Sequence, residues 1–148
     1  MFEALSNKNG ILLVENEAEK IFLMQKGFQA VNQSNLLGLK VIESGSEAML
    51  YLGGQGSYAN RSRYPLPALI LANMELPDSS GREVLKWVRR QPKLKHLPFI
   101  LLNPIREPTV IEQILEIRAD GLLIKPSTIE AAVQLFQNIN LAWFELAS

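Results

Sequence analysis

Four short apolar runs constrain this chain more than anything else in it. They are Ile11-Leu-Leu-Val14, Ala68-Leu-Ile-Leu-Ala72, Pro98-Phe-Ile-Leu-Leu102 and Gly121-Leu-Leu-Ile124, each four or five residues long. Turn-forming or charged residues bound each one. They are too short for helices and too continuously apolar for strands with one wet face. They read as strands covered on both sides, as in a parallel sheet. Leu39-Lys-Val-Ile-Glu43 is more polar and reads as an edge strand, where a charge costs less. Amphipathic stretches separate the runs. Ala18, Ile21, Phe22 and Phe28 trace a helix over about 17–29. Ser46 is a plausible N-cap for Glu47–Leu52, and Gly53-Gly54 closes that helix. Residues 53–67 are too polar and too rich in Gly and Pro for regular structure. Gly81–Arg90 is a helix stopped before Pro92. Pro108 suits the first turn of a helix over about 107–118. Residues 127–146 make the last and longest helix. Strict strand–helix alternation implies right-handed crossovers and a doubly wound α/β fold with a five-stranded parallel sheet.

Composition narrows the class. The chain has 148 residues, which suits one domain over 1–148 with a core at about 10–145 and no separate output domain. Fifteen basic residues balance 15 acidic ones, which disfavours a domain built to hold a polyanion. There is no cysteine, so disulfides, thiol catalysis and iron–sulfur clusters are excluded. The single histidine, His96, precludes a multi-histidine metal site and reads as a solvated loop residue. No secretory leader and no membrane-length apolar run is present, so the expected location is cytoplasmic.

In doubly wound sheets the functional crevice lies beyond the C-terminal ends of the central strands. Those positions hold Glu15-Asn16-Glu17, Asn73-Met74-Glu75-Leu76-Pro77, Asn103 and Lys125-Pro126. Alone, the first could be a helix start with Asn16 as its cap. Together, the chain resembles a receiver domain of two-component response regulators. Glu15, the Leu76-Pro77…Gly81 turn and Lys125-Pro126 carry the resemblance, in order and at the family's spacing. The 53–67 loop with Tyr58-Ala-Asn60, the Gly81–Leu85 helix start and the Trp143-Phe144 pair are similar to small stand-alone regulators that partner phytochrome-type histidine kinases. The resemblance implies strand order 2-1-3-4-5 and a cis Lys125–Pro126 bond. It also places the family's phosphoacceptor aspartate on Asn73, its second acidic residue on Asn16, its Ser or Thr on Asn103 and its aromatic switch on Leu122.

These departures have chemical consequences. Forming an acyl phosphate needs a carboxylate nucleophile, and Asn73 offers an amide. Mg²⁺ prefers carboxylates and water, so Glu15, Asn16, Asn73 and Glu75 are weak candidate ligands, and no cofactor is expected. Asn103 lacks the hydroxyl and Leu122 lacks the ring. Lys125 must find a partner other than residue 73, with Glu15 or Glu75 in plausible reach and Glu75 as a candidate compensation. The expectation is a pseudo-receiver: not an enzyme, independent of phosphorylation, acting by contact. Two alternatives are a Mg²⁺-dependent phospho-receiver using an acid such as Glu75, and a small-ligand sensor using Asn16, Asn73 and Asn103. Acidic residues beside the first strand argue against a flavin phosphate.

Two surface features remain. Lys86, Arg89, Arg90, Lys93 and Lys95 form a basic cluster, read as a solvated face because the chain as a whole carries no net charge; neither nucleic acid nor membrane is an expected partner. The helices at 107–118 and 127–146 carry apolar residues on more than one side. Val110, Ile114, Leu135, Ile139, Ala142, Trp143, Phe144 and Leu146 are the candidate interface of a homodimer. The resemblance points the same way and adds a sensor histidine kinase or another signalling protein as partner.

Overall fold

Alternate residues of each central strand point into two different cores. In the computed structural model, which describes residues 10–32, 37–103, 118–140 and 142, strands β1 (Ile11–Val14), β3 (Leu69–Asn73) and β4 (Phe99–Asn103) are buried along almost their whole length. Ile11, Leu13, Leu69, Leu71, Ile100 and Leu102 face helices α1 (Ala18–Val31) and α4 (Ile129–Ile139). Leu12, Val14, Ile70, Ala72, Phe99 and Leu101 face α2 (Gly45–Gly53) and α3 (Gly81–Arg90). A period of two along a strand with helices on both faces explains why the sequence shows unbroken apolar runs. Burying each such Leu, Ile or Phe contributes about 1.5–3 kcal/mol.

All five strands are parallel, in the order β2-β1-β3-β4-β5, with β2 at Leu39–Ile42 and β5 at Gly121–Ile124. The expected topology is therefore observed. β5 is less covered than its apolar sequence suggests: it is the second edge, half-buried through Leu123, and Ile124 is exposed. The expected helix at 107–118, save Arg118, lies outside the described residues.

Local signals set most element ends. Gly54 adopts φ 65° and closes α2, a left-handed position where a side chain is strained. The α2 N-cap is Ser44 and not Ser46: the Glu47 N–H donates to Ser44 Oγ at 3.2 Å. A distant residue decides this, because Asp78 Oδ1 and Oδ2 accept from the Gly45 and Ser46 amides at 2.9 and 3.0 Å. Those two amides are thereby satisfied as the first turn of the helix. Ser80 caps α3 and Thr128 caps α4 in the same way as Ser44. The 53–67 loop is more ordered than its composition suggests. It contains a short 3₁₀ turn, Gly56–Tyr58. Tyr51, Tyr58 and Tyr64 meet edge to face with ring centroids 5.1–6.3 Å apart. Arg61 donates to the carbonyls of Tyr51, Leu52 and Tyr64, serving the open C-terminus of α2.

Candidate functional site

The parallel ladder brings four strand ends to one level. The Glu15 amide donates to Ile42 O, the Met74 amide to Leu102 O and the Lys125 amide to Asn103 O. Glu15, Asn73, Asn103 and Lys125 therefore share one layer at the C-terminal edge of the sheet. Gly81 makes room beside them, since a Cβ there would collide with the Asn73 carbonyl oxygen and would press on Leu101. This explains why the turn after Leu76-Pro77 needs glycine at its far end.

Three of these residues form a buried polar unit. Glu15, Asn73 and Lys125 are 1%, 3% and 8% exposed. Lys125 Nζ lies 2.9 Å from Glu15 Oε1 and 3.2 Å from Glu17 Oε1. Asn73 Nδ2 donates to Glu15 Oε2 at 3.2 Å. The amides of Asn16 and Glu17 donate to the same oxygen at 3.1 Å each. Asn73 Oδ1 faces the Glu75 amide at 3.5 Å. Among the described residues no buried side-chain polar atom lacks a partner, so desolvation of these groups is compensated.

Several expectations need correcting against this geometry. The carboxylate partners of Lys125 are Glu15 and Glu17, and Glu75 is not among them. Glu75 is exposed and pairs through its backbone with Ser80. Its position two residues past the end of β3 turns it out of the layer that holds Lys125. Asn16 does not cap α1. Glu17 occupies the cap position without a side-chain bond, and the Glu15 carboxylate collects the two leading amides instead. The Lys125–Pro126 peptide is trans, the ordinary preference of an X–Pro bond, and the Pro126 carbonyl accepts from Lys20 Nζ at 3.4 Å. Asn103 is half-buried at its strand end, and Leu122 is half-buried against the core under α2 and α3. Among the described residues, no group of three or more His, Asp or Glu side chains is placed to hold a metal ion.

The proposed dimer residues divide. Leu135 and Ile139 are buried in the chain's own core with Phe136, whose ring meets Phe28 of α1 edge to face. The side of α4 that carries them is spent on packing against α1 and is not free for a partner. Ala142 is exposed. Val110, Ile114, Trp143, Phe144 and Leu146 lie outside the described residues. In the basic cluster, Arg89 is committed internally: it donates to the carbonyls of Arg118, Lys95 and Leu97 and pairs with Asp120. Glu17 is the residue that sequence reasoning underrated. The acid-Asn-acid spacing of Glu15-Asn16-Glu17 was its signal, because a residue three past the end of β1 comes back over the edge to Lys125.

Comparison with known proteins places this geometry. The sequence is 30% identical over 135 residues to the response regulator Rcp1 of Synechocystis, covering 91% of this chain and 88% of that protein. The chain belongs to the response regulator family. Its structure superposes on the phosphorylated cyanobacterial phytochrome response regulator RcpA with a TM-score of 0.83 and 29% identity, covering 95% of this chain and 96% of that one. It superposes on the Mn²⁺-bound form of Rcp1 with a TM-score of 0.76 and 29% identity, covering 95% and 97%. No family model matches the sequence. A response regulator of two-component signalling thus carries an amide-lined, lysine-neutralised layer at its receiver edge. No helix among the described residues is long and apolar enough to cross a membrane.

Proposed function

We propose that this response regulator signals without being phosphorylated, as a pseudo-receiver that works by docking. One observation carries the reading. The side chain that ends β3 beside Glu15 and Lys125 is the Asn73 carboxamide, and its nitrogen donates into the Glu15 carboxylate. A carboxamide has no anionic oxygen with which to attack phosphorus, so an acyl phosphate does not form there. Asn103 and Leu122 support the same reading, because neither supplies a small hydroxyl or a mobile ring at the positions where the family resemblance expects them. Glu75 is a poor substitute acceptor: its exposed side chain lies outside the Lys125 layer. The chain is then a binding module and not an enzyme.

The partner is a sensor histidine kinase or another signalling protein. RcpA is a phytochrome response regulator, which favours a phytochrome-type kinase as the partner here. A second copy is the other candidate partner. Its contact would use the 107–118 segment and Ala142 with the residues that follow it in sequence, with Leu135 and Ile139 removed from that surface. In a cell the expected location is the cytoplasm, where such kinases present their transmitter domains.

Incubation with acetyl phosphate and Mg²⁺, followed by intact-mass measurement, tests the reading. The expected result is an unchanged mass, together with retention of the chain by a phytochrome-type kinase whether or not ATP is present. A phosphoryl adduct mapped to this edge of the sheet would overturn it.

A further inference from the structure

We propose that the Lys125 ammonium is the resident counter-cation of this pocket, and that the Asn73 amide is what keeps a divalent cation out. The inference rests on the pseudo-receiver reading and deepens it: the family resemblance implies a divalent ion at this edge, and the donor set found here does not fit one.

The argument begins with the acceptor capacity of Glu15. A carboxylate has about four lone-pair sites. Glu15 receives four donors: Lys125 Nζ on Oε1, and Asn73 Nδ2 with the amides of Asn16 and Glu17 on Oε2. Oε2 is crowded by three donors, so a divalent ion would enter either on Oε1, against the repulsion of the Lys125 ammonium 2.9 Å away, or by displacing a donor. Displacing Lys125 would leave a largely buried ammonium, its side chain 5% exposed, with the half-exposed Glu17 as its remaining carboxylate partner. Displacing Asn73 would turn a buried amide away from its acceptor. The other candidate ligands offer little in return. Asn16 and Glu75 are exposed, and among the described residues no cluster of three metal-ligating side chains is assembled. A hard dication prefers several charged oxygens. With Glu15, Glu17 and Lys125 ionised, the pocket holds a single net negative charge, already shared across two ion pairs.

Asn73→Asp changes this balance at its centre. It removes the Nδ2 donor 3.2 Å from Glu15 Oε2 and sets a second carboxylate beside the first, doubling the net negative charge. Two carboxylates that close cannot both ionise without a cation between them. Lys125→Gln reaches the same state from the other side, by removing the cation and leaving Glu15 buried and unbalanced. If Lys125 is the resident cation, both variants acquire a need for a divalent ion that the native chain lacks.

The test uses the full chain and Mn²⁺ as the probe, with free Mn²⁺ read by its electron paramagnetic resonance signal and Tm read with and without Mg²⁺. The native protein is expected to leave Mn²⁺ free and to melt at the same temperature with or without Mg²⁺. Asn73→Asp is expected to bind Mn²⁺ at least tenfold more tightly than the native chain, and Lys125→Gln to regain Tm on addition of Mg²⁺. Should a variant fold only when the ion is present, that dependence is the same result. A gain in either variant with none in the native chain supports the proposal. Native binding as tight as that of Asn73→Asp, or no gain in either variant, overturns it. Both readouts are independent of phosphoryl transfer, so they can fail while the acetyl phosphate result stands, and the reverse.

Discussion

The two ends of the sheet each hold a cation against a carboxylate at the same distance, and the two pairs have different worth. At the C-terminal end, Lys125 meets Glu15 at 2.9 Å with side chains 5% and 1% exposed. At the N-terminal end, Arg89 meets Asp120 at 2.9 Å with side chains 13% and 44% exposed. Arg89 spreads its fork over three backbone carbonyls as well, and Asp120 Oδ2 also accepts from the Phe99 amide at 2.8 Å. That arrangement is a staple, tying the end of α3 to the entries of β4 and β5. Water can replace much of it if one member is lost. Lys125 is a point charge whose side chain, like that of Glu15, is almost wholly buried, so water replaces little of it at Glu15. Distance alone does not set the value of an ion pair; burial decides how strongly each charge depends on its partner.

Removing each cation should expose that difference. Lys125→Met leaves Glu15 charged, buried and without its counter-ion, and should cost about 3–5 kcal/mol, the usual result of breaking a buried pair. Chemical denaturation at neutral pH measures it, and a loss below that of the Arg89 variant would erase the contrast between the two ends. Arg89→Ala should cost about 1–2 kcal/mol, from hydrogen bonds to carbonyls that water then serves in part. A double-mutant cycle of Arg89 with Asp120 should assign no more than about 1 kcal/mol to the ion pair itself. A coupling well above that would mean the N-terminal end is electrostatically as closed as the other.

The sequence made this geometry legible unevenly. The three central strands could be located because both faces of each are buried, which leaves an unbroken apolar trace; β1 lies where expected, and β3 and β4 begin and end one residue later because ladder pairing sets their ends. The residues of the pocket were recoverable because strand order fixes which ends lie side by side. What escaped was set by contacts distant in sequence. Ser44 and Ser46 are equally good caps on paper, and Asp78, more than thirty residues further on, decides between them. Leu135 and Ile139 sit on a helix with two apolar sides, and only the placement of Phe28 shows which side α1 consumes. The partner of Lys125 was open between Glu15 and Glu75. Glu17 completes the answer, because the chain turns back over the edge before α1 begins.

Two smaller effects at the C-terminal end sharpen the contrast within that end. Asp78 is an exposed carboxylate held down to about 2 by the Ser46 hydroxyl and amide and the Gly45 amide, against an ordinary value of 3.8. Its pKa is depressed in the folded state, so its contribution is present above about pH 4 and fades as pH falls towards 2. Asp78→Asn should cost about 0.3–1 kcal/mol at neutral pH, as for a charge lost from a helix N-terminus, and the native and variant stabilities should converge on acidification. Stability curves that stay parallel down to pH 2 would remove Asp78 from this role. Glu75→Gln is the smallest expected effect, within about 0.5 kcal/mol of native, as for an exposed position without a buried partner. The same substitution would be costly if Glu75 were the counter-ion of Lys125. A loss of 2 kcal/mol or more, on the order of a broken buried pair, would therefore return Glu75 to the pocket and displace Glu17 from it.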